Sequence, residues 1–327
     1  MIAFIIRRLF QALLVMLVVA LIGFTMFRYV GDPVAQMVGQ DTSLEDRAQL
    51  REDLGLNDPV PVQFARFIGN TIQGKFGISY RIGRPVDELL ADRLPATLEL
   101  SLLAALFAIV VGVPLGVYTG LYPKRWLSHV FLTVSLIGIS LPTFVIGILL
   151  ILLFGVTLGW LPTFGRGETV DIGPWDTSLL TVSGWQSLLM PEFTHGMFQL
   201  ALIMRLVRSE MLEVLRTDFV KFARARGLSN RAVHFGHALK NTLVPVITIT
   251  GLQVGSLIAF AIITETFFQW PGMGLLFLQA IQCGDMPVMS TYLILVAFIF
   301  VAINLVVDVL YYVVDPRLRV ERSGGGH

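Results

Sequence analysis

Residues 98–121 of this 327-residue chain read LELSLLAALFAIVVGVPLGVYTGL, and Glu99 is the one charged residue among them. As a helix, a run of about twenty apolar residues can cross the roughly 30 Å of hydrocarbon in a lipid bilayer. Charged residues make up only 14% of the whole chain, whereas soluble proteins carry about 25%. The sequence therefore excludes a soluble globular fold and predicts an all-α, polytopic membrane protein.

Six apolar runs are long enough to span the membrane. The first follows Arg8 and ends before Arg28, so it is longer than the apolar core of a signal peptide, and no small-residue cleavage site closes it. We therefore predict that it is retained as a transmembrane helix. The predicted spans lie at about residues 9–27, 98–121, 130–158, 188–204, 243–264 and 288–314.

The distribution of Lys and Arg predicts the orientation, because cytoplasmic connections are enriched in basic residues. If the N-terminus is cytoplasmic, 15 of the 24 basic residues fall inside, and eight of the other nine flank or occupy one long connection, where the rule is weak. Both termini are therefore expected in the cytoplasm. The expected ranges are an N-terminal transmembrane helix at 1–30, a periplasmic helical segment at 31–95, a five-helix core at 96–317 with a cytoplasmic loop at 205–242, and a cytoplasmic tail at 318–327.

Two outer connections carry local signals. Ser43 and Asp46 form a capping-box pattern closed by Gly55, and apolar residues recur at helical spacing from Phe64 up to Gly74. The long outer connection is therefore expected to contain short amphipathic helices, which either cover this chain's own helix ends or receive a docking partner. The connection at 159–187, with three Trp beside Gly and Pro, is expected to be an irregular loop at headgroup level.

The 205–242 loop has a more specific pattern. Helical spacing continues beyond Arg205, Thr217 and Asp218 can cap a short helix that Gly227 ends, and Ser229 can cap the next helix. This predicts a rigid helical element with an exposed basic face, although orientation alone also requires a basic inner loop. The basic residues expected at its surface are Lys221, Arg224, Arg226 and Arg231.

Motifs for nucleotide or metal chemistry are incomplete. Residues 69–75 match the start of a phosphate-binding loop, but Phe76 replaces the required Ser or Thr and the motif follows a helical pattern. His234 and His237 share helical spacing without a third ligand, and Cys283 is the single cysteine. We therefore expect no catalytic residue, no metal site and no cofactor in this chain.

The positions of Asp and Glu within the predicted spans indicate whether transport could be coupled to an ion, because an ionisable group inside the membrane usually marks an ion path. The carboxylates within the spans lie near their ends and none at mid-bilayer, which disfavours a proton- or sodium-coupled carrier. These carboxylates are Glu99, Glu192, Glu265 and Asp308.

Small residues recur every fourth position in two spans. Gly112 and Gly116 lie in the second span, and Gly251, Gly255 and Ala259 lie in the fifth. Such spacing lets helix backbones approach closely. It predicts packing within the bundle, or, for the fifth span, contact with a partner subunit or with a path that opens and closes.

The stretch 218–228, DFVKFARARGL, followed by HALKN at 237–241 and by Pro245, resembles the coupling loop of binding-protein-dependent ABC importer permeases of the dipeptide, oligopeptide and nickel branch. Of the broader Glu-Ala-Ala-x-x-x-Gly consensus, only Ala223 and Gly227 match. The other segments that resemble this branch are 6–9, 31–33, 55–56, 76–79, 93–100, 251–255, 264–274 and 314–317. The Gly-rich residues 323–327 are typical of disordered or appended sequence.

The resemblance implies a type I ABC importer permease of the bacterial inner membrane that moves short peptides by alternating access. The implied partners are a second homologous permease, two cytoplasmic ATPase subunits that bind ATP and Mg²⁺, and a periplasmic substrate-binding protein, with no nucleic acid. Nickel or glutathione import by the same machinery remains open, as does a stand-alone channel or carrier. The implied coupling residues are Asp218, Phe219, Lys221, Phe222, Ala223, Arg224, Ala225, Arg226, Gly227 and Leu228, and the implied periplasmic gate or lid contains Trp270, Pro271, Gly272 and Gly274.

Overall fold

The computed structural model of the chain describes residues 2–29, 34, 43–53, 55–173 and 175–314. Predictions that concern residues 31–33, residues 315–317 and the tail at 318–327 lie outside the described residues. The same holds for the three basic residues of the C-terminal segment, Arg317, Arg319 and Arg322.

The described elements are almost all helical. They comprise α-helices, two π-helices, in which hydrogen bonds join residues five apart, and one short antiparallel hairpin. In chain order they are α1 (Ile2–Tyr29), α2 (Leu44–Asp53), α3 (Val60–Ile72), α4 (Val86–Leu121), α5 (Trp126–Ser140), α6 (Thr143–Leu150), π1 (Ile151–Thr157), β1 (Val170–Asp171), β2 (Asp176–Thr177), α7 (Val182–Val214), α8 (Asp218–Ala225), π2 (Ala232–Ala238), α9 (Leu239–Phe267), α10 (Met273–Cys283) and α11 (Met286–Val314).

Four helices in the described part of the chain, α1, α4, α9 and α11, are long and apolar enough to cross a membrane. A fifth candidate is the combination of α5 with α6 and π1. Helix α7 has 33 residues but is not among these candidates; it carries polar residues such as His195 and Gln199 in the stretch predicted as the fourth span. The helical membrane fold is confirmed, and the count of six spans stays a prediction.

The predicted third span at 130–158 is not one continuous helix. The chain bends by 108° between α5 and α6. Leu141 is extended at ψ 134°, and Pro142 stands at the N-cap of α6. A residue before proline is disfavoured in the helical region and proline has no N–H to donate, so the Leu141–Pro142 pair ends one helix before the next begins.

The N-terminal unit comprises the described residues within 1–96 and 271–301. Its core joins the start of α4 to α10 and α11: Val86 and Leu90 are buried against Met273 and Tyr292. Asp285, between α10 and α11, accepts a hydrogen bond from Ser79 Oγ at 2.5 Å. Contact between distant segments thus groups residues 271–301 with the N-terminal part of the chain. The ranges expected from the sequence describe the order of segments along the chain and stay a prediction.

The two short helices of the long connection are confirmed. Ser43 Oγ accepts a hydrogen bond from Asp46 N at 3.1 Å at the start of α2, and Gly55 follows that helix with φ 65°. Helix α3 packs on α1, with the Phe24 ring 5.3 Å from Phe64 and 5.8 Å from Phe67 between centroids. The apolar face of α3 is therefore covered, at least in part, by the chain's own first helix.

The central unit comprises the described residues within 97–270 and 302–314. Helix α7 contacts α5, α6 and α9, and it lies so close to α4 that a Cβ at Gly116 would be 2.6 Å from Val207 Cβ and 2.7 Å from the Met204 carbonyl oxygen. Gly112 faces Leu200 and Ile203 of the same helix. The glycines of the second predicted span thus permit backbone contact with α7.

The connection before α7 is more ordered than expected from the sequence. Val170 pairs with Thr177 in the β1–β2 hairpin. Helix α7 begins at Val182 instead of residue 188, because Thr181 is its N-cap and Thr181 Oγ1 accepts from Gly184 N at 3.0 Å. The first turn of α7 combines apolar Val182 and Trp185 with Ser183 and Gly184, so hydropathy alone does not reveal the start of the helix.

We expect Gly116→Ala to destabilise the protein by about 1–3 kcal/mol, because the added methyl group overpacks the α4–α7 contact. The matched control is Gly69→Ala in α3, where nothing lies within 4 Å of an added Cβ. Thermal unfolding of both purified variants in detergent measures the difference. Equal midpoints would contradict a close α4–α7 contact.

Candidate functional site

The connection between α7 and α9 contains the short helix α8. Thr217 occupies its N-cap position, but the Thr217 hydroxyl donates to the Val214 carbonyl at 2.6 Å and does not cap α8. The predicted side-chain cap by Thr217 is therefore wrong, because the end of α7 supplies a closer acceptor. Lys221 Nζ donates to Asp218 Oδ1 at 2.8 Å, and this contact lowers the pKa of the Asp218 carboxyl.

Gly227 makes the sharp turn expected after α8. It has φ 75°, and its N–H donates to the Arg224 carbonyl at 2.9 Å. Nothing lies within 4 Å of an added Cβ, so the backbone conformation, which L-residues rarely adopt, is the reason for glycine here. Ser229 Oγ then accepts from Ala232 N at 3.3 Å, which confirms the predicted cap of the following helix.

Helix α8 has one buried and one exposed face. Val220 and Ala223 pack with Val233 of π2 and with the partly buried Val214 and Leu215 at the end of α7. Ala223, predicted as a coupling residue, therefore anchors α8 and does not face outward. The other nine predicted coupling residues are exposed, namely Asp218, Phe219, Lys221, Phe222, Arg224, Ala225, Arg226, Gly227 and Leu228.

The exposed face of α8 and its turn presents large apolar groups to the surroundings. Phe219 is 43% exposed, Phe222 64% and Leu228 42%, and the Arg226 guanidinium carbon lies 5.8 Å from the centroid of the Phe222 ring. An exposed apolar patch of this kind is typical of a surface that contacts another protein or a membrane.

A buried ion pair lies elsewhere in the central unit. Arg166 Nη2 donates to Glu99 Oε2 at 2.6 Å, with side-chain exposures of 7% and 3%. Glu99 also accepts from Ser178 Oγ at 2.8 Å and from Trp175 Nε1 at 3.3 Å, while Arg166 Nη2 donates to the Asp176 carbonyl at 2.6 Å. The pair therefore ties the β1–β2 hairpin to α4.

A second set of buried polar groups joins α4, α7 and α9. Thr97 Oγ1 donates to Glu265 Oε1 at 2.6 Å. His195 Nε2 donates to the Leu257 carbonyl at 3.0 Å, since a carbonyl only accepts, and Thr264 Oγ1 lies 3.2 Å from His195 Nδ1. Glu99 and Arg166 are 67 residues apart in the chain. The signal that could link Arg166 to a buried carboxylate is that it is the one Lys or Arg between Arg125 and Arg205.

The residues that the resemblance implies in a path or gate differ in burial and belong to different units of the chain. A Cβ at Gly251 would be 2.6 Å from Val307 Cγ2 of α11, and Gly255 is buried whereas Ala259 is half-buried. Trp270 is fully buried, and its backbone N–H donates to the Glu265 backbone carbonyl at 2.8 Å. Trp270 ends a segment of the central unit, whereas Pro271, Gly272 and Gly274 belong to the N-terminal unit, where Gly272 precedes α10.

Residues 69–72 of the incomplete phosphate-loop motif lie in the last turn of α3, and Gly74 follows with φ 72°. This is the end of a helix and not a strand-to-helix loop. Within the described ranges, no group of three or more His, Cys, Asp or Glu side chains could hold a metal ion.

We expect Glu99→Gln to destabilise the protein by about 3–5 kcal/mol, because it leaves the buried Arg166 guanidinium without a counter-charge. The double variant Glu99→Gln/Arg166→Met should recover part of this loss. Glu88→Gln is the control, since it breaks a solvent-exposed pair with Arg84, and exposed pairs contribute little.

Thermal unfolding and the rate of trypsin cleavage after Arg166 measure these effects. If Glu99→Gln unfolds and is cleaved like the Glu88→Gln control, the ion pair does not hold the hairpin.

Two family models match nearly the whole chain. One is described as binding-protein-dependent transport system inner membrane component and matches residues 112–320, and the other is the N-terminal model of the same transport component and matches residues 1–101. Both predicted regions, the N-terminal helix with its long connection and the helical core, are thus covered.

Relatives of known name match over the full length. A dipeptide transport system permease protein of Alkalihalophilus pseudofirmus is 37% identical over 98% of this chain and 100% of its own. A di/tripeptide transport system permease protein of Pseudomonas aeruginosa is 42% identical over 98% and 100%. An oligopeptide transport system permease protein of Bacillus subtilis is 38% identical over 97% and 99%.

Among solved structures, a chain of the MetNI methionine ABC transporter in an inward-facing conformation resembles this fold with a TM-score of 0.54 at 18% identity. The similarity covers 69% of this chain and 96% of that one. It supports the type I importer permease fold expected from the sequence. Together with the family models and the full-length relatives, it shows that the chain belongs to the inner membrane permease components of binding-protein-dependent ABC transport systems.

Proposed function

We propose that the chain is the permease subunit of an importer that moves di- and oligopeptides across the inner membrane by alternating access. The observation that carries the substrate class is the end-to-end identity of 37–42% to dipeptide, di/tripeptide and oligopeptide permeases. Because the similarity includes both units of the chain, it supports the function of a whole subunit and not of one segment.

The proposed partners are a second homologous permease, two ATPase subunits and a periplasmic substrate-binding protein. The chain itself performs no catalysis and holds no cofactor, and ATP and Mg²⁺ belong to the ATPases. Both termini and α8 lie on the cytoplasmic side in this proposal, since the basic residues around α8 favour that side.

The exposed face of α8 is the proposed contact with an ATPase subunit. Shifting a two-state gate from 1:99 to 99:1 takes a differential of about 5.5 kcal/mol. An exposed ion pair contributes roughly 0–1 kcal/mol, whereas burying a side chain such as Phe contributes about 1.5–3 kcal/mol. Phe219, Phe222 and Leu228 are therefore better suited than Arg224 or Arg226 to transmit the conformational change.

The function is tested by purifying the complex from its native membrane and reconstituting it in liposomes with the binding protein. We expect a second permease and ATPase subunits to co-purify, and labelled dipeptide to accumulate only when ATP is present on the ATPase side. Nickel or glutathione accumulation in place of peptide would assign another substrate. Uptake by this chain alone, without ATPases, would reject the importer model.

We expect Phe222→Ala to weaken ATPase binding by about tenfold or more, because a loss of about 1.4 kcal/mol changes an equilibrium constant tenfold. The matched control is Arg224→Glu on the same exposed face. The amount of ATPase that co-purifies at increasing salt concentration measures ATPase binding for both variants. A silent Phe222→Ala together with loss of the ATPase in Arg224→Glu would show that charge, and not apolar contact, holds the interface.

A further inference from the structure

The turn between α4 and α5, residues 122–125, is fixed by hydrogen bonds. The Arg125 N–H donates to the Tyr122 carbonyl at 3.1 Å, and the hydroxyl of the buried Ser128 donates to the same carbonyl at 2.6 Å. A proline follows Tyr122, and a residue before proline is disfavoured in the helical region. The side chains of Lys124 and Arg125 are therefore held on a defined turn at the end of a long apolar helix.

The two basic side chains of this turn are not neutralised by carboxylates. Lys124 and Arg125 are exposed, and no carboxylate in the described part of the chain forms an ion pair with either of them. The sequence contains no Asp or Glu between Glu99 and Glu168. Two positive charges thus stand together in a long stretch that has no acidic residue.

A third basic residue, Arg208 of α7, lies beside the end of α4. Its carbonyl oxygen would be 3.4 Å from a Cβ at Gly120. Arg208 Nε is buried and has no hydrogen-bond partner among the described residues. Glu210 and Glu213 follow it in α7, but within the same ranges neither forms an ion pair with it. Because a buried donor without a partner is costly, this end of α4 is suited to a bound anion.

Two exposed aromatic side chains flank the basic pair. Tyr122 is 41% exposed and Trp126 is 70% exposed. The Arg125 guanidinium carbon lies 4.4 Å from the centroid of the Tyr122 ring. Tyr and Trp are enriched where a membrane protein meets the lipid headgroups, and the N–H donors of an arginine match the geometry of a phosphate group. The turn thus combines the side chains that suit a phosphate at headgroup level.

The helix that follows the turn indicates that the anion belongs to a lipid. One side of α5 packs on α7, where a Cβ at Gly138 would be 2.9 Å from the end of the Met197 side chain. Exposed apolar side chains recur on the other side at spacings of three and four residues, which place them on one helix face. They are Trp126, Val130, Val134 and Ile137. This face is suited to the acyl chains of a lipid whose headgroup lies beside the turn.

We propose that the α4–α5 turn binds the headgroup of an anionic phospholipid. Lys124 and Arg125 donate hydrogen bonds to the lipid phosphate, and the acyl chains lie along the exposed apolar face of α5. Basic sites at the ends of transmembrane helices select anionic lipids in this way, because a zwitterionic headgroup has no net charge to neutralise. This inference goes beyond the proposed function and does not depend on which solute is imported.

Photo-crosslinking from the turn itself tests the proposal. Trp126 is replaced by the photoreactive residue benzoylphenylalanine, which keeps an aromatic ring there, and the complex is reconstituted in vesicles of phosphatidylglycerol and phosphatidylcholine in equal amounts. Mass spectrometry of the peptide that contains position 126 then gives the ratio of the two crosslinked lipids. We expect phosphatidylglycerol to exceed phosphatidylcholine by about tenfold or more, because each basic residue near an anionic lipid contributes a factor of about five.

Charge variants in the same background assign the preference to the turn. We expect Lys124→Gln/Arg125→Gln to lower the crosslink ratio by about tenfold or more, and the charge-retaining Lys124→Arg/Arg125→Lys to keep it. The matched control is Arg7→Gln/Arg8→Gln, which removes two adjacent basic residues near the start of α1 and should leave the ratio unchanged. An equal fall in this control would show that total charge, and not the turn, selects the lipid.

The crosslinks of the labelled complex without further substitution decide the matter if a charge variant fails to assemble. Equal crosslinking of the two lipids would overturn the proposal. Crosslinks that form only to an ATPase subunit or to the second permease would also overturn it and would assign the turn to a protein interface. Failure of the proposed function has a different signature, since it is the absence of ATP-driven peptide uptake by the wild-type complex and does not alter the ratio of crosslinked lipids.

Discussion

The close approach of α4 to α7 is the contact on which the central unit depends. A Cβ at Gly116 or Gly120 would collide with α7, and a Cβ at Gly112 would make a tight contact with Leu200 and Ile203 of the same helix, so two helix backbones meet along several turns. In a bilayer, where lipid is as apolar as the side chains, such close packing is a main source of helix association. One side of α7 packs on α4, and other parts of its surface contact α5, α6 and α9.

The same α7 helix links the bundle to the exposed helix α8. Val207 and Met211 are buried in the bundle core, and Val214 and Leu215, a few residues later, contact the clusters on both sides of π2. The α8 helix has only eight residues, too few to be stable alone in water. Its position therefore derives from the end of α7, which explains how a short loop helix can hold aromatic side chains outward.

Buried polar groups connect several elements of the central unit. The Glu99–Arg166 pair, the Thr97–Glu265 hydrogen bond and the contacts of His195 bring residues from α4, α7, α9 and the hairpin together. Ionised and polar groups are costly to bury unless each has a partner. Here the partners come from distant parts of the chain, so the polar contacts form only when the helices are packed in this arrangement.

The sequence by itself determined the helical membrane class, the short helices after Ser43 and before Gly74, the turn at Gly227 and the cap at Ser229. Each of these follows from local hydropathy, capping or a glycine conformation, which depend on residues close together in the chain. Only the tertiary structure decided the bend at Pro142, the burial of Ala223, the π turn before α9 and the pairing of Glu99 with Arg166. These features depend on which distant surfaces meet, since the same local patterns are compatible with a straight span, an exposed helix face, a regular α-helix or two solvated charges.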